Sequence, residues 1–112
     1  DAGAFDVVMA AYKTPKDSPE RDPAIQKALI HATEVPAQTA ASAAEALRLL
    51  SELRSIIHPN VTSDVQVAMT MLQSAVRGAV ANMRINVGDV KDETVRSQYE
   101  NRIAEFERAI QG

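Results

Sequence analysis

Apolar positions recur at helical spacing along most of the chain, and no stretch alternates apolar and polar residues as a strand would. The segment "AFDVVMAAY" sets Phe5, Val8, Met9 and Tyr12 at that spacing and predicts a helix over residues 2–13. It stops in "KTPKDSPERDP", a Pro- and charge-rich loop. Asp22 followed by Pro23 reads as a capping residue with proline at the first helical position. A second helix is therefore expected from Ala24 to about Ile57, with Ala28, Ala32, Ala43, Leu47 and Leu50 among its apolar positions. Pro36 lies inside it. Its nitrogen carries no hydrogen for the Ala32 carbonyl and its ring crowds that carbonyl, so a kink or break is expected there.

"HPN" at 58–60 closes that run, and "TSD" at 62–64 supplies cap candidates for a third helix, from about Ser63 to Val87. Gly88-Asp89 turns the chain. Asp92 and Glu93 open a fourth helix ending near Gln111-Gly112, with Val95, Tyr99, Ile103, Phe106 and Ile110 on one face. The predicted fold class is all-α, a bundle of long antiparallel helices forming a single domain over 1–112.

The third helix has an unusual cross-section. At about 100° per residue, Gln66, Thr70, Gln73, Arg77 and Arg84 share one side. Ala68, Met71, Ala75, Gly78, Ala79, Asn82 and Asn86 lie opposite, flanked by Val65, Met69, Leu72, Val76, Val80, Met83 and Val87. An apolar arc of about two thirds of the circumference predicts a helix inside the protein or at an oligomer interface. Asn82 and Asn86 sit on that apolar side, where a carboxamide is costly unless it is hydrogen-bonded. Either they tie this helix to a neighbour or they face a pocket and meet a ligand.

Composition narrows the function classes. Only 4% of residues are aromatic, which with abundant Ala suits helices packed at close range. A net charge of −3 argues against nucleic acid as a partner. The absence of cysteine removes disulfides, thiol nucleophiles and cysteine metal sites. Two distant histidines, His31 and His58, make no zinc cluster. No apolar run approaches the ~20 residues that span a bilayer, so no membrane partner is expected and the cytoplasm is the default compartment. Neither a phosphate loop nor a nucleophile elbow is present.

Several side chains remain as candidates, each beside a plain structural reading. Glu34 precedes Pro36 where the backbone must deform, and is a candidate general acid or base or else a surface carboxylate. Asp64 is a first-turn acid that complements the helix dipole. It lies on the Asn82 side of its helix but ~27 Å away along the axis; antiparallel two-fold pairing of this helix would bring Asp64 of one copy towards Asn82 of another. Lys13 ends the first helix, where a cation is favoured. Arg84 falls on the polar side, and His58 sits in a helix-ending turn.

Four stretches in register resemble one family: "DAGAFDVVMAAYKTPK" (1–16), "AIQKALIHATEVP" (24–36), "HPNVTSDVQVA" (58–68) and "RGAVANMRIN" (77–86). Together they resemble the C-terminal part of the formiminotransferase-cyclodeaminase and methenyltetrahydrofolate cyclohydrolase family. The resemblance implies an all-helical domain that dimerises and binds a tetrahydrofolate derivative as substrate, with no metal or redox cofactor. Family members carry a Gly-rich segment and further helices ahead of the point that matches Asp1; on this resemblance that part is on another chain, was removed, or is missing from a reduced relative. One family activity closes formiminotetrahydrofolate to methenyltetrahydrofolate with release of ammonia; the other hydrolyses methenyltetrahydrofolate to formyltetrahydrofolate. Both shuttle protons around an electron-poor carbon between two folate nitrogens.

The matching polar positions are Asp1, Lys13, Glu34, Asn60, Ser63, Asp64, Asn82, Arg84 and Asn86. By residue type, Asp64 and Glu34 are the catalytic carboxylate candidates. Asn82 and Asn86 suit the pterin edge, Lys13 or Arg84 the anionic glutamate tail, and Asn60 and Ser63 join the substrate-binding set. The chain departs from the family pattern at Gln66 and at Ile57-His58, where glycine or Gly-Asn is usual. The alternative reading is a non-catalytic helical interaction module that keeps the fold but lacks a complete site.

Overall fold

The computed structural model describes residues 2–111. Its helices are α1 (Ala2–Tyr12), α2 (Arg21–Leu53), α3 (Thr62–Val87) and α4 (Glu93–Ala109), with a 3₁₀ turn over Pro59–Val61. No strand occurs among the described residues, so the all-α expectation holds.

The helix ends show which local signals won. Asp92 caps α4 by accepting hydrogen bonds from the Thr94 and Val95 amides at 3.0 and 3.2 Å, which satisfies two of its orphan donors. His58 Nδ1 accepts from the Asn60 amide at 3.1 Å and so caps the 3₁₀ turn. Two expected caps are corrected. Helix α2 starts at Arg21, which leaves Asp22 in its first turn, and the preceding Glu20 makes no side-chain cap. Helix α3 starts one residue earlier than expected, leaving Ser63 and Asp64 in its first turn behind Val61, which cannot cap.

Helix α2 runs unbroken through Pro36, so of the kink or break expected there the break does not form. The reason lies on another helix. Nearby, buried Thr33 donates its hydroxyl to the Leu29 carbonyl at 2.8 Å, so its polar atom is satisfied within its own turn.

Packing centres on α2 against α3. The buried row of α3 is Met69, Val76, Val80, Met83 and Val87, with Ala79 beside it, and it meets Ala43 and Leu47 of α2 and Tyr99 and Ile103 of α4. A second cluster joins α1 to the first half of α2 through Val8, Ala11, Ile25 and Leu29. Gln26 fastens the α3–α4 turn to α2: its Nε2 donates to the Asp89 carbonyl at 3.2 Å and its Oε1 accepts from the Lys91 amide at 2.8 Å.

The wide apolar arc of α3 is only half covered. Val67, Met71 and Ile85 are 58, 68 and 71% exposed, because α2 and α4 both pack on the flanking row that carries Val76 and Met83. Of the two expected settings for this arc, the interior of the protein accounts for only part of it. The molecule measures 64 × 26 × 14 Å.

Candidate functional site

On the uncovered side, α1, α2 and α3 enclose a cavity of about 610 Å³ that opens to solvent. This size lies within the ~300–1,000 Å³ range of small-molecule pockets. The space exists because small residues face one another there: Ala4 on α1, Ala32 on α2, Ala75 and Ala79 on α3. Phe5, Val8, Leu29, Val35, Pro36 and Ile85 complete an apolar wall. The polar lining comes from Tyr12, Thr39, Asn82, Asn86 and Asp89.

The two amides divide the alternatives between them. Asn86 is half-buried, and its Nδ2 donates to the Ala32 carbonyl at 3.1 Å and to the Asn82 carbonyl at 3.3 Å. Ala32 is the residue whose carbonyl Pro36, four positions later, cannot serve. Asn86 thus supplies the missing donor, and the carbonyl stays satisfied inside a continuous helix. Asn82 lines the same cavity, is exposed, and has no side-chain hydrogen bond to the scaffold among the described residues. Its donor and acceptor are both open to a ligand.

Tyr12 and Asp89 were read in the sequence only as an amphipathic position and a turn residue, and Thr39 was not singled out. Their place at the cavity follows from how the helices cross, which spacing does not reveal. Tyr12 is held by Arg21, whose guanidinium stands 5.8 Å from the ring centroid and whose Nη2 donates to the Tyr12 carbonyl at 3.3 Å. Among the described lining residues, Asp89 is the single carboxylate.

The structure does not bring the remaining candidates to this cavity. Glu34 points to α4, where its Oε2 accepts from Tyr99 Oη at 2.8 Å and from Arg102 Nη1 at 2.7 Å. Burial alone would raise its carboxyl, but the hydrogen bonds from Arg102 and Tyr99, with the Arg102 charge, outweigh it and hold Glu34 below the usual glutamate range. Burial, followed by the bond to Glu34, pushes the Tyr99 phenol up to about 12. Arg84 is exposed and paired with Glu107 on another side of α3. Asn60, Ser63 and Asp64 are exposed at the far end of that helix. Lys13 is exposed one residue beyond Tyr12, and Asp1 lies outside the described residues. Gln66 faces solvent and accepts from Arg54 Nη2 at 3.4 Å, so its bulk does not narrow the cavity.

A sequence profile of the formiminotransferase-cyclodeaminase family matches residues 1–105. The chain belongs to the formiminotransferase-cyclodeaminase family. It is 38% identical over 108 residues to the formimidoyltransferase-cyclodeaminase of Sus scrofa, covering 93% of this chain and 20% of the pig protein. It is 36% identical over 120 residues to the Gallus gallus protein of the same name, covering 100% of this chain and 22% of the relative. Against the methenyltetrahydrofolate cyclohydrolase of Methylorubrum extorquens it is 34% identical over 111 residues, covering 96% of this chain and 52% of that enzyme. The chain therefore spans about a fifth of the vertebrate relatives and about half of the bacterial one.

Proposed function

We propose that this chain forms the folate-binding helical part of a one-carbon enzyme, which hydrolyses methenyltetrahydrofolate or cyclodeaminates formiminotetrahydrofolate. One observation carries the reading: an unpartnered carboxamide, Asn82, at the edge of an apolar cavity of about 610 Å³, in a chain whose relatives are named for these two reactions. The exposed rings of Phe5 and Tyr12 on α1 suit a flat heteroaromatic ring. Asn82 and the free Oδ1 of Asn86 suit its edge of alternating donors and acceptors. Lys13, exposed next to Tyr12 in the chain and outside the cavity lining, supplies a cation of the kind an anionic glutamate tail would need.

In this reading the carboxylate that moves protons at the reacting carbon is either Asp89 of the same cavity or Asp64 of a second copy. The second copy enters because Asp64 lies roughly 27 Å along α3 from Asn82. The stripe of Val67, Met71, Ser74, Gly78 and Ile85 supports such a pairing: it is exposed and carries no charge, and nothing stands within 4 Å of where a Gly78 Cβ would be. Antiparallel contact of two copies along it is self-complementary.

The test combines calorimetry with the stable analogue 5-formyltetrahydrofolate and the absorbance loss of methenyltetrahydrofolate. Saturable heat is expected, with affinity about tenfold lower in Asn82→Ala, in line with one lost ligand hydrogen bond. No heat, together with no absorbance loss above the uncatalysed rate, would favour the non-catalytic interaction module instead.

A further inference from the structure

We infer that Asn86 is a positioning residue matched to Pro36, and that the pair sets the α2–α3 crossing on which the cavity is built. Proline inside a helix leaves the carbonyl four residues earlier without its amide partner and pushes it outward. Here that carbonyl belongs to Ala32, and Asn86 Nδ2 meets it at 3.1 Å from the neighbouring helix. The bond joins residues 54 positions apart and is a direct polar link between α2 and α3. Its surroundings give it leverage, because Ala32 and Pro36 are buried and all three residues line the cavity.

The same bond fixes the direction of the Asn86 side chain. Both of its side-chain hydrogen bonds leave from Nδ2, to Ala32 and to Asn82, so the acceptor Oδ1 is left free beside the cavity. The bond to the Asn82 carbonyl also ties down the turn that carries the Asn82 side chain. Asn86 therefore acts on a ligand in two ways, by the acceptor Oδ1 it leaves free and by the shape of the cavity and the placement of Asn82. This last step rests on the folate reading; the pairing with Pro36 does not.

A double-mutant cycle separates the two. Asn86→Leu keeps the branched side-chain skeleton and removes the donor, so the Ala32 carbonyl is orphaned; the folding equilibrium constant should fall about tenfold or more in urea denaturation. Pro36→Ala returns an amide hydrogen to that carbonyl, and in this background Asn86→Leu should cost less than about threefold. Equal losses in both backgrounds would overturn the pairing. The positioning role is read from the Asn82 side-chain amide resonances and from 5-formyltetrahydrofolate affinity. Both should stay altered in the double variant although its stability has recovered, whereas return of the resonances to their original positions would leave Asn86 a purely structural tie. If the unmodified chain binds no 5-formyltetrahydrofolate, the folate reading falls, and the pairing is judged by the stability cycle and the resonances alone.

Discussion

The Glu34 carboxylate takes donors from two residues of α4, and both sides of that arrangement titrate away from their ordinary values. Burial would raise Glu34, but Arg102 and Tyr99 overcome it and hold the carboxyl below 4.5. A carboxylate held low in the folded state stabilises fully above its unfolded value, and that contribution is lost as pH falls through the folded value. Stability should therefore decline below about pH 4.5, and Glu34→Gln should flatten that part of the urea-denaturation profile. Tyr99 gives the opposite sign. Its phenol is raised to about 12, by burial first and by the Glu34 bond second, so its contribution is present below the ordinary value of 10 and disappears as pH rises through about 12. Ultraviolet titration should show a phenolate transition near 12 that Tyr99→Phe removes. Glu34 stood out in the sequence because a proline follows it. What engages it is Tyr99, 65 positions away, and no local pattern announces that contact.

Among the helices, the start of α4 was legible and the course of α2 past Pro36 was not, and the contrast has a physical cause. The start of α4 depends on Asp92 and the two amides that follow it, all within a four-residue window. Asp92→Ala should cost about 1 kcal/mol of stability, measured by urea denaturation. Asp92→Asn should restore most of it, because Asn caps as well as Asp; equal losses for the two variants would show that the side-chain oxygen is not what holds this end. Helix α2 contains a proline whose cost depends on whether anything else serves the Ala32 carbonyl. That partner is on α3, and a one-dimensional reading has no access to it. For α3 itself, the sequence placed Asn82 and Asn86 on the correct apolar side, and the cavity does lie there. A helical wheel gives the direction of a face but not what covers it, so the exposure of Asn82 and the shared lining with Tyr12 and Asp89 became visible only once α1 was in place.

At the scale of the whole molecule, the surface is larger than the mass calls for. A compact monomer of 12.1 kDa should expose about 6,000 Å², whereas this chain exposes 7267 Å². Its radius of gyration is 17.7 Å against about 13 Å for a globular domain of similar length. The excess of roughly 1,200 Å² exceeds the ~800 Å² that each partner buries in a standard interface. Part of the exposed apolar area forms a stripe on one helix face: Val67, Met71 and Ile85 of α3 are each more than half exposed, and the Gly78 backbone between them is open to close approach. Burial of such side chains gains about 25 cal/mol per Å² of apolar surface, and no charge in that stripe opposes it. The chain should therefore sediment above 12.1 kDa at micromolar concentration. Met71→Glu combined with Ile85→Glu should return it to the monomer mass while the helical circular-dichroism signal is unchanged, since neither side chain is in the core. A monomer mass for the unmodified chain at about 100 μM would place the contact far weaker than a standard interface, and Asp64 of a second copy would then have no route to the cavity.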